Sequence, residues 1–76
     1  MEIAPRISVD PHVVHGSPVI TGTRVPVSIV IGSLAGGMSK EDVMREYDLS
    51  KEDVEAALAY AAYLVTKTDA VPLVGD

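Results

Sequence analysis

The spacing of apolar positions changes along this chain, and each change marks an element. Around Ile7 the run Arg6-Ile7-Ser8-Val9 alternates, which favours a strand. Two β-branched pairs, Val13-Val14 and Val19-Ile20, then flank His15-Gly16-Ser17-Pro18, a turn composition in which glycine supplies positive φ, so a small hairpin is predicted. Pro11 and Pro18 cannot donate to a ladder, which keeps these strands short and at an edge. Gly22 predicts a second bend, and Pro26 suits a strand end or a first helical turn. The segment after it carries β-branched residues that suit a strand, but Val27, Val30, Ile31 and Leu34 also fall on one helical face. A helix over about 28–36 is predicted, with Ser28 as its cap and Gly36-Gly37 as its stop.

The pentapeptide Ser-Lys-Glu-Asp-Val occurs twice, beginning at Ser39 and at Ser50. In each copy the serine can accept hydrogen bonds from the free N–H groups of a helix start, and an aspartate (Asp42, Asp53) follows at capping-box spacing. The residue before each cap (Met38, Leu49) and the fourth helical residue (Val43, Val54) are apolar, the pattern of a hydrophobic staple. The repeat is therefore helix punctuation rather than chemistry. It predicts helices over 40–47 and 51–65 joined by a tight turn, which is helix-turn-helix geometry.

Beyond Val54 the last helix has one charged residue, Glu55, before Val65. Val54, Leu58, Ala61 and Val65 make one stripe; Ala56, Ala59, Tyr60 and Tyr63 make a second. One stripe serves the domain's own core, and the other calls for a second polypeptide. A tyrosine brings roughly 150–250 Å² of surface, worth a few kcal/mol when covered at about 25 cal/mol per Å² of apolar area. The expectation is a homodimer through Ala56, Ala59, Tyr60 and Tyr63.

Length reinforces that expectation. The chain has 76 residues, read as one domain over 1–66 and a tail over 67–76. A domain of this size hides only about 60% of the surface its unfolded form exposes, so its own core is thin. There is no cysteine to staple it, and a reducing, cytoplasmic setting is expected. The uncharged stretch after Arg24 is broken by Pro26 and glycines, so no membrane span is expected.

Net charge is −5 and is unevenly placed. Glu41, Asp42, Glu46, Asp48, Glu52, Asp53 and Glu55 face only Lys40, Arg45 and Lys51, whereas the first 39 residues balance Glu2 and Asp10 with Arg6 and Arg24. Such an acidic helical surface suits a basic partner. Asp10, His12 and His15 could be drawn as a metal site, but a structural zinc site wants four ligands, so no metal and no cofactor are expected. No nucleophile, base and orienting acid stand at a motif spacing, so the chain is read as a non-enzyme without a small-molecule substrate.

Asp10-Pro11, Gly16-Ser17-Pro18, Gly22-Thr23-Arg24 and Ala56-Ala57-Leu58-Ala59-Tyr60 together resemble family 433 of the domains of unknown function, also described as VapB-type antitoxin-like, over residues 7 to about 63. The resemblance implies a mainly α, homeodomain-like three-helix helix-turn-helix with a small N-terminal β-hairpin element over 6–26, usually dimeric. It also implies an antitoxin of a type II toxin–antitoxin system, acting beside a PIN-like ribonuclease toxin.

Two roles stay open within that resemblance. A DNA-binding regulator would use Arg6, Arg24, Lys40, Arg45 and Lys51 on operator phosphates, yet the first turn of the last helix is carboxylate-rich and would be repelled by them. Arg24 has a structural alternative, forking Asp10 or a helix C-terminal carbonyl to pin the β element to the helices. An antitoxin role points instead to the tail, where Val71, Leu73 and Val74 around Pro72 could lie along the toxin. Asp10, Gly16, Gly22, Thr23 and Arg24 complete the set as turn-forming positions.

Overall fold

Two capped helix starts and a proline-delimited third organise the fold, which the structure, a computed structural model, describes over residues 1–68. The elements are β1 (Glu2–Ala4), β2 (Ile7–Ser8), a single 3-10 turn (Val14–Gly16), β3 (Val19–Ile20), α1 (Val27–Ala35), α2 (Lys40–Tyr47) and α3 (Lys51–Thr66). Three helices pack beside a small antiparallel sheet of order β1-β2-β3. The fold is mainly helical, with α2 and α3 in helix-turn-helix succession.

The echoing serines both cap. The Ser39 hydroxyl accepts the Asp42 N–H and the Ser50 hydroxyl accepts the Asp53 N–H. Only the second forms a complete box, because the Asp53 carboxylate takes the Ser50 N–H at 3.1 Å while the Asp42 carboxylate turns to Arg45. Between them Asp48 adopts a left-handed conformation at φ 56°, which an aspartate tolerates, and the Leu49 N–H reaches back to the Met44 carbonyl. This tight reversal drops Leu49 into the core.

The start of α1 differs from expectation. Ser28 caps nothing and is exposed; the helix begins at Val27 with Pro26 in the cap position. The reason is that the Val27 N–H is already taken by the Pro18 carbonyl, tying the helix start to the edge of β3, and the Pro26 carbonyl receives the first helical bonds. The stop behaves as read: Gly37 takes φ 107°, a conformation an L side chain resists.

The β element also departs from the predicted hairpin. It starts at Glu2, ahead of Arg6, and Val13-Val14 is not a strand. Val14, His15 and Gly16 all take positive φ (51°, 54° and 82°) and wind into the 3-10 turn, so β2 pairs with β3 across a wide loop. Asp10 anchors that loop by accepting the His12 N–H at 2.9 Å. Gly22 bends at φ 84°, and the Thr23 hydroxyl donates to the Ile20 carbonyl while accepting the Val25 N–H.

Ile7 and Ile20 from the sheet meet Val30, Val43, Val54 and Ala57 from the helices and Leu49 from the turn between α2 and α3 in one buried cluster. From α3 the core takes Val54 and Ala57. The expected core stripe is thus corrected at its far end: Val65 is 72% exposed, because the sheet and α1 cover only the first half of α3. Among the described residues no helix is long and apolar enough to cross a membrane.

Candidate functional site

The overhanging half of α3 creates the most distinctive surface of the molecule. Past Ala57 none of its residues is fully buried, yet from Ala56 to Val65 every side chain is apolar or a tyrosine. On one side this segment faces the β1 strand and the turn after it. Ile3, Ala4 and Pro5 form one wall of a groove of about 350 Å³, and Ala56, Ala59, Tyr60 and Tyr63 form the other. These four helical residues are the stripe that sequence reasoning assigned to a dimer contact. Tyr63 is 56% exposed, Tyr60 is half-buried, and the Lys67 ammonium sits 5.2 Å from the centre of the Tyr63 ring, a cation–π contact at the end of the groove.

A second groove of about the same volume adjoins the first, with Tyr60 as the divider. Its walls are Ala61 and Leu64 of α3 opposite Pro18, Val27 and Ile31, with Ser17 and Ser28 at the rim. Sequence reasoning missed this groove and the β1 wall of the first. The available signals were Ile3, an apolar residue beside Pro5, and Leu64, which continues the helical line of Ala57 and Ala61. Neither becomes meaningful until the sheet is docked.

The alignment of β1 with α3 depends on Arg6. Its backbone takes φ 63°, its N–H donates to the Glu2 carboxylate and its carbonyl accepts the Thr21 N–H. The guanidinium then reaches the Asp53 carboxylate at 3.0 Å. Burial raises the pKa of Asp53, but the Ser50 N–H, the Arg6 guanidinium and the Ser50 hydroxyl outweigh it and hold the carboxyl below its usual 3.8. Arg6 is therefore the arginine that pins the β element to the helices. Arg24, assigned that task from sequence, is exposed and makes no ion pair among the described residues.

Of the five cations considered for DNA, Arg6 pairs with Asp53, Arg45 with Asp42 and Lys51 with Glu55, and all but Asp53 lie on exposed side chains. Arg24 and Lys40 are without a carboxylate partner among the described residues. The structure does not bring the five together on one element: they come from the β1–β2 turn, the segment before α1, and the starts or last turn of α2 and α3. Asp10, Gly16, Gly22 and Thr23 shape the loops that flank β3. His12 and His15 are exposed, and no three His, Asp or Glu side chains gather as a metal set among the described residues. Val71, Leu73 and Val74, assigned to toxin contact, lie outside the described residues.

Comparison with known proteins matches residues 7–61 to the family described as "Protein of unknown function (DUF433)". The crystal structure of a DUF433 member protein from Anabaena variabilis ATCC 29413 superposes with a TM-score of 0.74 at 27% identity, covering 82% of this chain and 62% of that one. RV2018 from Mycobacterium tuberculosis gives a TM-score of 0.63 at 31% identity, covering 68% of this chain and 24% of that one. The chain therefore spans less than two thirds of either protein. Among curated proteins none matches.

Proposed function

The chain belongs to the DUF433 family, and from that premise we propose that it is an antitoxin-like binding module of a type II toxin–antitoxin system, which pairs with a second copy of itself and neutralises a PIN-like ribonuclease by surface contact. The observation that carries this reading is the groove between β1 and α3, whose seven lining residues include no ionisable group other than the two tyrosine hydroxyls. An apolar groove beside an exposed tyrosine is a surface built to be covered by protein. The reading gives the chain no chemistry of its own.

The acidic side of the molecule supports the second contact. Glu41, Glu46, Asp48 and Glu52 are exposed and have no basic partner among the described residues. Carboxylates concentrated on α2 and the first turn of α3 would steer a basic nuclease surface towards the module. The same carboxylates weigh against the rival role on operator DNA, where the start of α3 would enter the major groove.

The experiment is to purify the chain with a PIN-like ribonuclease encoded beside it and titrate one against the other. Equimolar chain is expected to abolish RNA cleavage. Full cleavage at a tenfold excess of the chain would overturn the reading. Binding to the upstream DNA at low salt, weakening steeply as salt rises, would instead support the regulator.

A further inference from the structure

We infer that α2 is a peroxide-sensitive element: oxidation of Met38 and Met44 to sulfoxides loosens this helix from the core, and reduction seats it again. The hold on α2 is narrow. Lys40, Glu41, Asp42, Arg45 and Glu46 are exposed, so the helix is fastened through Val43, Met44 and Tyr47, of which only Val43 is fully buried. Met38, the residue before the Ser39 cap, adds a fourth apolar contact. Two of the four side chains that fasten α2 are therefore thioethers. Both pack against the buried cluster while remaining partly exposed.

That combination is what oxidation acts on. A side chain open to water meets peroxide, and one packed on apolar neighbours loses its place when it becomes polar. The sulfur lone pair attacks one peroxide oxygen, the O–O bond breaks and a sulfur–oxygen bond forms. The other oxygen leaves as water after taking the first one's proton, so the thioether is oxidised by two electrons and the peroxide reduced by two. A sulfoxide held against the cluster is a polar group without water, a cost that is relieved when the helix lifts away. No thiol competes for the oxidant, because the chain has no cysteine.

The effect is centred on α2. Ile7 and Ile20 of the sheet, Val27 and Val30 of α1, and Val54 and Ala57 of α3 belong to the cluster without it. The turn that follows α2 is fastened through the same residue, since the Met44 carbonyl accepts the N–H groups of both Asp48 and Leu49. Because α2 carries Glu41 and Glu46 of the acidic surface assigned above to nuclease steering, the functional consequence, release of the nuclease on oxidation, rests on that reading. The switch itself belongs to the chain alone and is tested without a partner.

The full chain is treated with hydrogen peroxide until peptide mass spectrometry shows sulfoxide at every methionine, and amide hydrogen exchange is compared before and after. Exchange across α2 is expected to speed up about tenfold or more, with α1 and α3 changing less than about threefold. Treatment with a thiol-dependent methionine sulfoxide reductase is expected to restore the original rates. The double variant Met38→Leu, Met44→Leu keeps the packing volume and retains Met1, whose side chain is 85% exposed. Oxidised at Met1 alone, it is expected to exchange like the untreated variant. Sulfoxide at Met38 and Met44 with unchanged exchange in α2 would overturn the inference. So would resistance of both residues to peroxide that fully converts Met1, or equal acceleration of α1, α2 and α3, which is global unfolding. An oxidised chain with α2 loosened that still neutralises the nuclease would overturn only the steering role.

Discussion

Arg6 and Asp53 stand 47 residues apart in sequence and meet at 3.0 Å. The other two ion pairs among the described residues run along single helices, at i,i+3 and i,i+4, so among the ion pairs this one links the β element to α3. Pro5, next to Arg6, lines the groove, and Asp53 stands one turn before Ala56 on the opposite wall. The pair therefore sets the near end of the groove, and Asp53 also completes the capping box.

That double duty makes Asp53 a source of acid sensitivity. Its pKa in the folded chain is lower than in the unfolded one, so its contribution is fully present above the unfolded value and is lost as pH falls through the folded one. The difference in stability between the wild type and Asp53→Asn should be constant above the usual carboxylate range and shrink as the pH falls through and below it. Urea unfolding at a series of pH values measures it, and a difference independent of pH would be the contrary result.

The two copies of the repeated pentapeptide should respond unequally to the same change. Asp53→Ala removes a charge-assisted bond to the Ser50 N–H and the Arg6 contact, at a cost of about 2 kcal/mol. Asp42→Ala removes an exposed i,i+3 pair and should cost less than about 0.5 kcal/mol. Equal losses in chemical denaturation would mean that the box at Ser50 contributes nothing.

Ser33 and Tyr47 join α1 to α2 through a hydroxyl–hydroxyl hydrogen bond of 3.2 Å in a partly buried setting. Tyr47→Phe keeps the ring against the core and deletes only that bond, so it should lower stability by about 1 kcal/mol. The double variant Ser33→Ala, Tyr47→Phe should be no worse than the sum of the singles, since each partner loses the same contact. Thermal unfolding of the three variants decides it.

Val14 offers a change in the opposite direction. A β-branched residue at φ 51° is strained by about 1–2 kcal/mol, and glycine would relieve that while adding chain entropy to the unfolded state. Val14→Gly should stabilise the chain by about 0.5 kcal/mol, whereas Val13→Gly, at an extended φ of −119°, should destabilise it. A loss on Val14→Gly in calorimetry would show that its partly buried side chain matters more than its backbone.

Much of this architecture was legible because it is written locally. Ser39, Ser50, Met38 and Leu49 act within five residues of themselves, so both helix starts and the tight turn between them follow from short-range hydrogen bonding and packing. The apolar stripe holding Ala56, Ala59, Tyr60 and Tyr63 was visible for the same reason: helical periodicity is a property of the segment alone. The Val13-Val14 strand and the Ser28 cap failed where local preference met a distant claim. The Pro18 carbonyl takes the Val27 N–H, and the chain turns left-handed at Val14 to let β3 return to β2.

Sequence by itself determined the helices, their caps, the acidic bias and the apolar character of α3. Tertiary structure alone decided which arginine pins the sheet, how far along α3 the core reaches, and that two grooves flank Tyr60. Those outcomes depend on which surfaces meet across tens of residues, and a contact such as Arg6 to Asp53 has no signature in either neighbourhood until folding brings the two together.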